Sequence, residues 1–133
     1  MSGPAELYMD FLSGEGYRPT IDNDGDVVFK VEGGLYYIDV DADDAVYFRV
    51  VYPNFWSIEN PDELLRAKAA ANHATATTKV AKVYVRPDET DTIAAVEIYV
   101  DPPEDFKAVF TRAIGALQHA ASTFRMVMRG EAP

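Results

Sequence analysis

Cysteine is absent from this 133-residue chain, which removes disulfide frameworks, thiolate metal sites and cysteine nucleophiles together. Histidine is scarce. His73 and His119 fall on different predicted helices without the i,i+4 partner a zinc-binding helix supplies, so both read as ordinary surface or edge residues. Ser2, Ser13, Ser57 and Ser122 stand outside any Gly-x-Ser-x-Gly elbow. No glycine-rich phosphate loop is present, because Gly14 and Gly16 follow a predicted helix rather than precede one. No apolar run approaches the roughly 20 residues a membrane helix needs, and Met1 to Glu6 lacks the basic and apolar stretches of a signal peptide. The expected compartment is the cytoplasm, the expected role is not enzymatic, and no cofactor is implied.

What the chain does have is apolar and aromatic material. Hydrophobic residues make up 48%, with seven Phe and eight Tyr, enough for a packed core and too much for a disordered chain. At this length a single domain spanning residues 1–133 buries roughly two-thirds of its unfolded surface. The net charge is -10, from 22 acidic against 12 basic residues. Such a field repels polyanions, so neither nucleic acid nor an anionic membrane is an expected partner.

Periodicity predicts the elements. Leu7 with Phe11 and Tyr8 with Leu12 repeat at i,i+4, giving a short helix over Pro4–Ser13 that Gly14 and Gly16 end. Thr20-Ile21 reads as a short strand before the turn Asp22-Asn23-Asp24-Gly25-Asp26. Strands follow at Val27–Val31, Leu35–Val40 and Ala45–Tyr52, with connections so short that they form an antiparallel meander. Asn60-Pro61-Asp62-Glu63 and Asp101-Pro102-Pro103-Glu104 are written alike: a capping residue, proline in the first turn, then glutamate where the helix dipole favours it. They open helices from Pro61 to about Thr75 and from about Pro103 to Arg129. Between these lies a hairpin of Lys79–Arg86 and Thr92–Val100. The expectation is an α+β domain of order α-β-β-β-β-α-β-β-α, with Thr20-Ile21 the least regular strand, built on one antiparallel sheet.

Strand alternation predicts two unlike sheet faces. Val27, Phe29, Tyr36, Ile38, Phe48, Val50, Val96 and Ile98 share an apolar face, which the first and last helices should cover. The opposite face carries Val28, Lys30, Leu35, Val51, Arg86, Glu97 and Tyr99 with the five residues read as a protein-binding set: Tyr37, Tyr47, Arg49, Lys82 and Tyr84. Tyrosine and arginine combine large apolar contact with a polar handle, which is why interfaces favour them. A half-solvated face with ordinary cross-strand pairs would show the same residues.

Six aspartates, Asp22, Asp24, Asp26, Asp41, Asp43 and Asp44, fall in alternate turns and so at one end of the sheet. Oxygen ligands could hold Ca²⁺ there, but Thr20 and Val31 stand where an EF-hand needs its first aspartate and closing glutamate. Turns favour aspartate for backbone reasons anyway, so no metal site is expected.

The run Gly16-Tyr17-Arg18-Pro19-Thr20-Ile21-Asp22-Asn23-Asp24-Gly25-Asp26-Val27-Val28-Phe29-Lys30-Val31-Glu32-Gly33 after a short amphipathic helix resembles the opening of the YbjN family, bacterial proteins labelled as candidate sensory transduction regulators. Ala70-Ala71-Asn72, Thr78 to Val85, and Pro103-Glu104-Asp105-Phe106 with Phe110 extend the resemblance over nearly the whole chain. Family members commonly carry a second asparagine where this chain has Thr75. The family is similar in fold to type III secretion chaperones, small acidic homodimers that hold extended segments of other proteins. The resemblance therefore implies a protein or peptide partner and a homodimer. Its contact is expected at the thin middle helix, through Ala67, Ala70, Ala71 and Ala74. A small-ligand sensory domain, with its pocket between the sheet and Asn54-Phe55-Trp56-Ser57-Ile58, is the alternative.

Overall fold

Turn chemistry divides the chain where the periodicity changes. The computed structural model describes residues 3–131. Its order is α1 (Pro4–Gly14), β1 (Thr20–Ile21), β2 (Val27–Val31), β3 (Gly34–Asp39), β4 (Tyr47–Pro53), α2 (Pro61–Thr77), β5 (Ala81–Val85), β6 (Thr92–Tyr99) and α3 (Phe106–Met128). One 3₁₀ turn, Pro103–Asp105, leads into α3. This is the expected α+β class and order. All six strands lie in one antiparallel sheet, arranged β1-β2-β3-β4-β6-β5.

Local signals explain the boundaries. α1 stops where the Tyr17 amide donates to the Leu12 carbonyl at 3.0 Å, a closure that needs Gly16 at φ 95°, a conformation glycine adopts without penalty. β2 and β3 join through Glu32 and Gly33, both at positive φ, the two-residue turn whose twist matches that of the strands. At the start of α2 the Asn60 side chain accepts from the Glu63 amide at 2.8 Å. The Glu63 carboxylate accepts from the Glu59 amide at 2.7 Å, one residue earlier than expected. The second anticipated capping box does not form. Pro102 and Pro103 have no N–H to offer, and the Asp105 amide donates to the Pro102 carbonyl at 3.0 Å, leaving a 3₁₀ turn and no side-chain cap.

All three helices pack on one face of the sheet. Tyr8 and Leu12 of α1, Ala67, Ala70, Ala71 and Ala74 of α2, and Phe106, Phe110, Leu117 and Phe124 of α3 join Val27, Phe29, Ile38, Phe48, Val50, Ala94 and Val96 in a single core. The middle helix thus adds to the two that were expected to cover this face. Its four alanines are fully or almost fully buried within the chain, where small side chains let α2 approach α3 and β5 closely. These methyls already have partners, so they present no surface to a second copy, and the contact assigned to them cannot be made there. The outward side of α2 carries Leu65, Lys68, Ala69 and Asn72 instead.

Thr75, where the resemblance has asparagine, closes an edge of the sheet. Its hydroxyl accepts from the Val83 amide at 2.8 Å and donates to the Val83 carbonyl at 3.2 Å. The outer edge of β5 is therefore occupied at that point by its own helix, a common way to block strand addition. β5 begins at Ala81 rather than at the expected Lys79, because Val80 has φ 56°. Among the described residues no helix is long and apolar enough to cross a membrane.

Candidate functional site

With every helix on one side, the other face of the sheet has no covering layer among the described residues. Because side chains alternate along a strand, the register places Tyr37, Tyr47, Arg49, Lys82 and Tyr84 together on this bare face, as the sequence anticipated. Asp39 of β3, Arg49 of β4 and Glu97 of β6 are direct cross-strand partners in one row. The neighbouring row runs through Val28, Tyr37, Val51, Ala95 and Lys82. Val51 and Ala95 are 0% exposed although no helix lies over them, so the long neighbouring side chains fold across them. Tyr47 and Tyr99 are also cross-strand partners, with ring centroids 5.9 Å apart. Tyr99 is 76% exposed, the most open aromatic of the face. Alternation placed it here, yet it was left out of the binding set.

Around Arg49 the charges are paired within the face. Arg49 donates through Nε to Glu97 at 3.0 Å, through Nη1 to Asp39 at 3.0 Å, and through Nη2 to the Tyr84 hydroxyl at 3.0 Å. Lys82 Nζ lies 2.8 Å from the same Glu97 carboxylate. Burial alone would raise the Glu97 pKa, but hydrogen bonds from Lys82, Arg49 and Tyr47 outweigh it and hold the carboxyl below its ordinary value. Burial is also the main reason the Tyr47 hydroxyl is pushed up to about 12, with Glu97 adding to it. Burial would lower the Arg49 pKa; the hydrogen bond to Glu97 opposes it, and the net shift is upward, so the guanidinium stays charged. Two cations meet two carboxylates here. Arg49 and Lys82 are therefore engaged within the face.

The two aspartate turns adjoin at one end of the sheet, and among the described residues the first gathers its carboxylates. The Asp22, Asp24 and Asp26 carboxylates lie within 4.8 Å of one another, while Asp41, Asp43 and Asp44 are not part of that cluster. Asp22 accepts from the amides of Asp24 and Asp26 at 3.0 and 2.9 Å, Asp26 from Val40 at 2.8 Å, and Asp41 from Asp43 at 3.0 Å. Asp22 and Asp41 each shape their own turn, while Asp26 links the first turn to Val40 beside the second. Burial raises the Asp26 pKa, against the Val40 hydrogen bond. Calorimetric titration with Ca²⁺ is expected to show no binding tighter than about millimolar, the weak end of calcium modules. A micromolar isotherm lost on Asp24→Asn would overturn that.

The loop after β4 is packed down rather than open. Phe55 stacks on Tyr52 at 5.5 Å and meets Phe124 edge-on at 5.2 Å, and the Phe55 and Ile58 amides donate to the Thr92 and Thr90 carbonyls. A cavity of about 300 Å³ lies on the other side of Tyr52, between Glu32, Tyr36, Gln118 and Arg125. None of the residues 54–58 lines it, and Tyr52 and Arg125, which lies over the Phe55 ring, connect it to the loop that was expected to form a pocket.

No protein-family model matches this chain, and no curated protein matches it in sequence. Solved structures do. A protein of unknown function from Methanothermobacter thermautotrophicus is similar at TM-score 0.63 and 12% identity, over 96% of this chain and 97% of that one. YbjN from E. coli, described as a candidate transcription regulator, is similar at TM-score 0.60 and 15% identity, over 90% and 87%. A chain of the HopA1–SchA chaperone–effector complex is similar at TM-score 0.60 and 14% identity, over 91% and 94%. The fold is YbjN-like and chaperone-like.

Proposed function

We propose that this chain is a cytoplasmic, non-catalytic protein-binding module, chaperone-like or regulatory, that receives a polypeptide segment of another protein on its tyrosine face. The observation that carries this reading is the one-sided packing: three helices cover one face and leave the aromatic face bare. Tyr37, Tyr47, Tyr84 and Tyr99 offer broad, stiff contact area there at little rotamer cost. Because Arg49 and Lys82 already meet Asp39 and Glu97, the fitting segment anchors through apolar and aromatic side chains rather than through acidic ones. The fold likeness to a chain of a chaperone–effector complex supports a polypeptide partner, and the likeness to YbjN supports a regulatory setting.

Tyr47→Ala and Tyr99→Ala are the informative substitutions, since each removes aromatic area and leaves the Arg49 contacts to Asp39, Glu97 and Tyr84 in place, Tyr47→Ala removing in addition its own hydrogen bond to Glu97. Each is expected to weaken partner capture in a tagged pull-down several-fold, the usual consequence of truncating an interface aromatic by more than about 1 kcal/mol. The circular dichroism spectrum should not change. Light scattering on the same variants separates the rival occupant: if the wild type is a dimer that these changes convert to monomer, the face is a contact between two copies. Unchanged capture and unchanged mass would refute a binding role for it.

A further inference from the structure

A second site lies on the helical side, away from the tyrosine face. Between α3 and the start of the β5–β6 hairpin is a cavity of about 210 Å³ walled by Val80, Val96, Ile98, Val109, Ala113 and Ala116, with Lys79 and Arg112 also lining it. Two independent observations point to a ligand. The first is charge. No acidic residue lines the cavity, and neither cation has a carboxylate partner among the described residues, in a protein of net charge -10. The second is strain. Val80 has φ 56°, a conformation disfavoured for a β-branched residue. The Ala81 amide donates to the Lys79 carbonyl at 2.7 Å, closing a γ-turn of the rare positive-φ kind. That turn holds Val80 64% exposed where the preceding sequence would otherwise have run straight into a strand. Backbone strain of this sort is retained where a particular side-chain placement is needed.

We propose that this slot binds a small amphiphile, an apolar chain ending in a carboxylate, of about the size of a medium-chain acyl anion. The chain lies against Val80, Val96, Ile98 and Val109, and the carboxylate meets Lys79 and Arg112. The cavity is smaller than the roughly 300–1,000 Å³ typical of drug-sized ligands, which favours a short chain over a long lipid or a folded partner element. The arrangement follows the usual form of such sites, apolar walls with a few polar groups that set orientation.

The test uses octanoate and octanol on the full chain, followed by titration calorimetry and amide chemical shifts. Octanoate is expected to bind and to shift the amides of Lys79, Val80 and residues 109–116, with octanol about ten-fold weaker because it lacks the charge the cations recognise. Lys79→Glu with Arg112→Glu should weaken octanoate by about ten-fold or more while leaving octanol unchanged. Ala116→Phe, which fills the slot from an incompletely buried position, should abolish both without lowering the melting temperature. Equal binding of the two ligands, indifference to charge reversal, or no octanoate binding at about ten millimolar, too weak to be of use, would each overturn the proposal. So would shifts confined to other residues, or a free-carboxylate peptide binding here where octanoate does not.

Discussion

Phe106→Ala is expected to destabilise the protein by about 4 kcal/mol, within the range for emptying a fully buried phenylalanine site. Phe106 is 0% exposed at the start of α3. Its ring meets Tyr8 edge-on at 4.9 Å and Phe11 edge-on at 5.0 Å, both on α1, and lies 5.5 Å from Phe48 of β4. One side chain therefore joins the first helix, the last helix and the middle of the sheet. Alanine leaves a cavity among these three rings and removes their contacts with the Phe106 ring, worth roughly 0.5–1.5 kcal/mol each. Because α1 is short and its buried residues are Tyr8 and Leu12, its docking should loosen first. Urea denaturation should show the full loss, and limited proteolysis should cut between Gly14 and Arg18 well before the sheet unfolds. Phe106→Leu, which keeps most of the volume, should lose about 1 kcal/mol. A loss below roughly 1.5 kcal/mol for alanine would mean that Phe106 is not the joint the geometry makes it.

The period-two pattern of β2, β3, β4 and β6 was legible because apolar residues alternate with Lys30, Tyr37, Arg49 and Glu97, and a single-residue slip would have put those polar side chains in the core. Hence the five residues read as a binding set do share one face. How Arg49 is used was not legible. Its contacts with Asp39 and Glu97 depend on β4 lying between β3 and β6, and β6 returns to β4 from beyond an intervening helix and strand. No local pattern encodes that pairing. α2 failed for a different reason. Alanine has so little side chain that a stripe of it looks the same whether it meets its own sheet or a second copy, and here it meets β5 and α3. Val80 was hidden by its neighbours, since Thr78-Lys79-Val80-Ala81 reads as strand by propensity, and a positive φ at valine has no sequence signature.

Arg49→Leu is expected to cost about 2 to 3 kcal/mol of folding stability at neutral pH, which makes Arg49 a structural residue of the binding face rather than a free contact for a partner. Removing one member of a well-buried ion pair typically costs about 3–5 kcal/mol because its partners are left unpaired. The lower figure applies because Arg49 is 15% exposed and Asp39 and Glu97 are 38% and 23% exposed, so water screens part of the loss. Lys82→Leu should cost less than about 1 kcal/mol, since that side chain is about half exposed and Arg49 still holds Glu97. The pH dependence gives the sign. Glu97 has a folded-state pKa below its ordinary value, so its contribution is present above the unfolded carboxylate pKa of about 4.3 and is lost as pH falls through the folded value. In the leucine variant that carboxylate has lost a cation, and protonating it relieves repulsion from Asp39. The stability gap between wild type and variant should therefore be widest near neutrality and narrow towards about pH 3. The double variant Arg49→Leu with Glu97→Leu should recover part of the loss, because the carboxylate that the single variant strands is removed with its arginine, although Asp39 and Lys82 still lose a partner. Thermal melts of the three proteins from neutral to acid pH decide it. A gap that stays constant with pH would mean the arginine acts by filling space, and the Asp39–Arg49–Glu97 row would then not be an electrostatic support of this face.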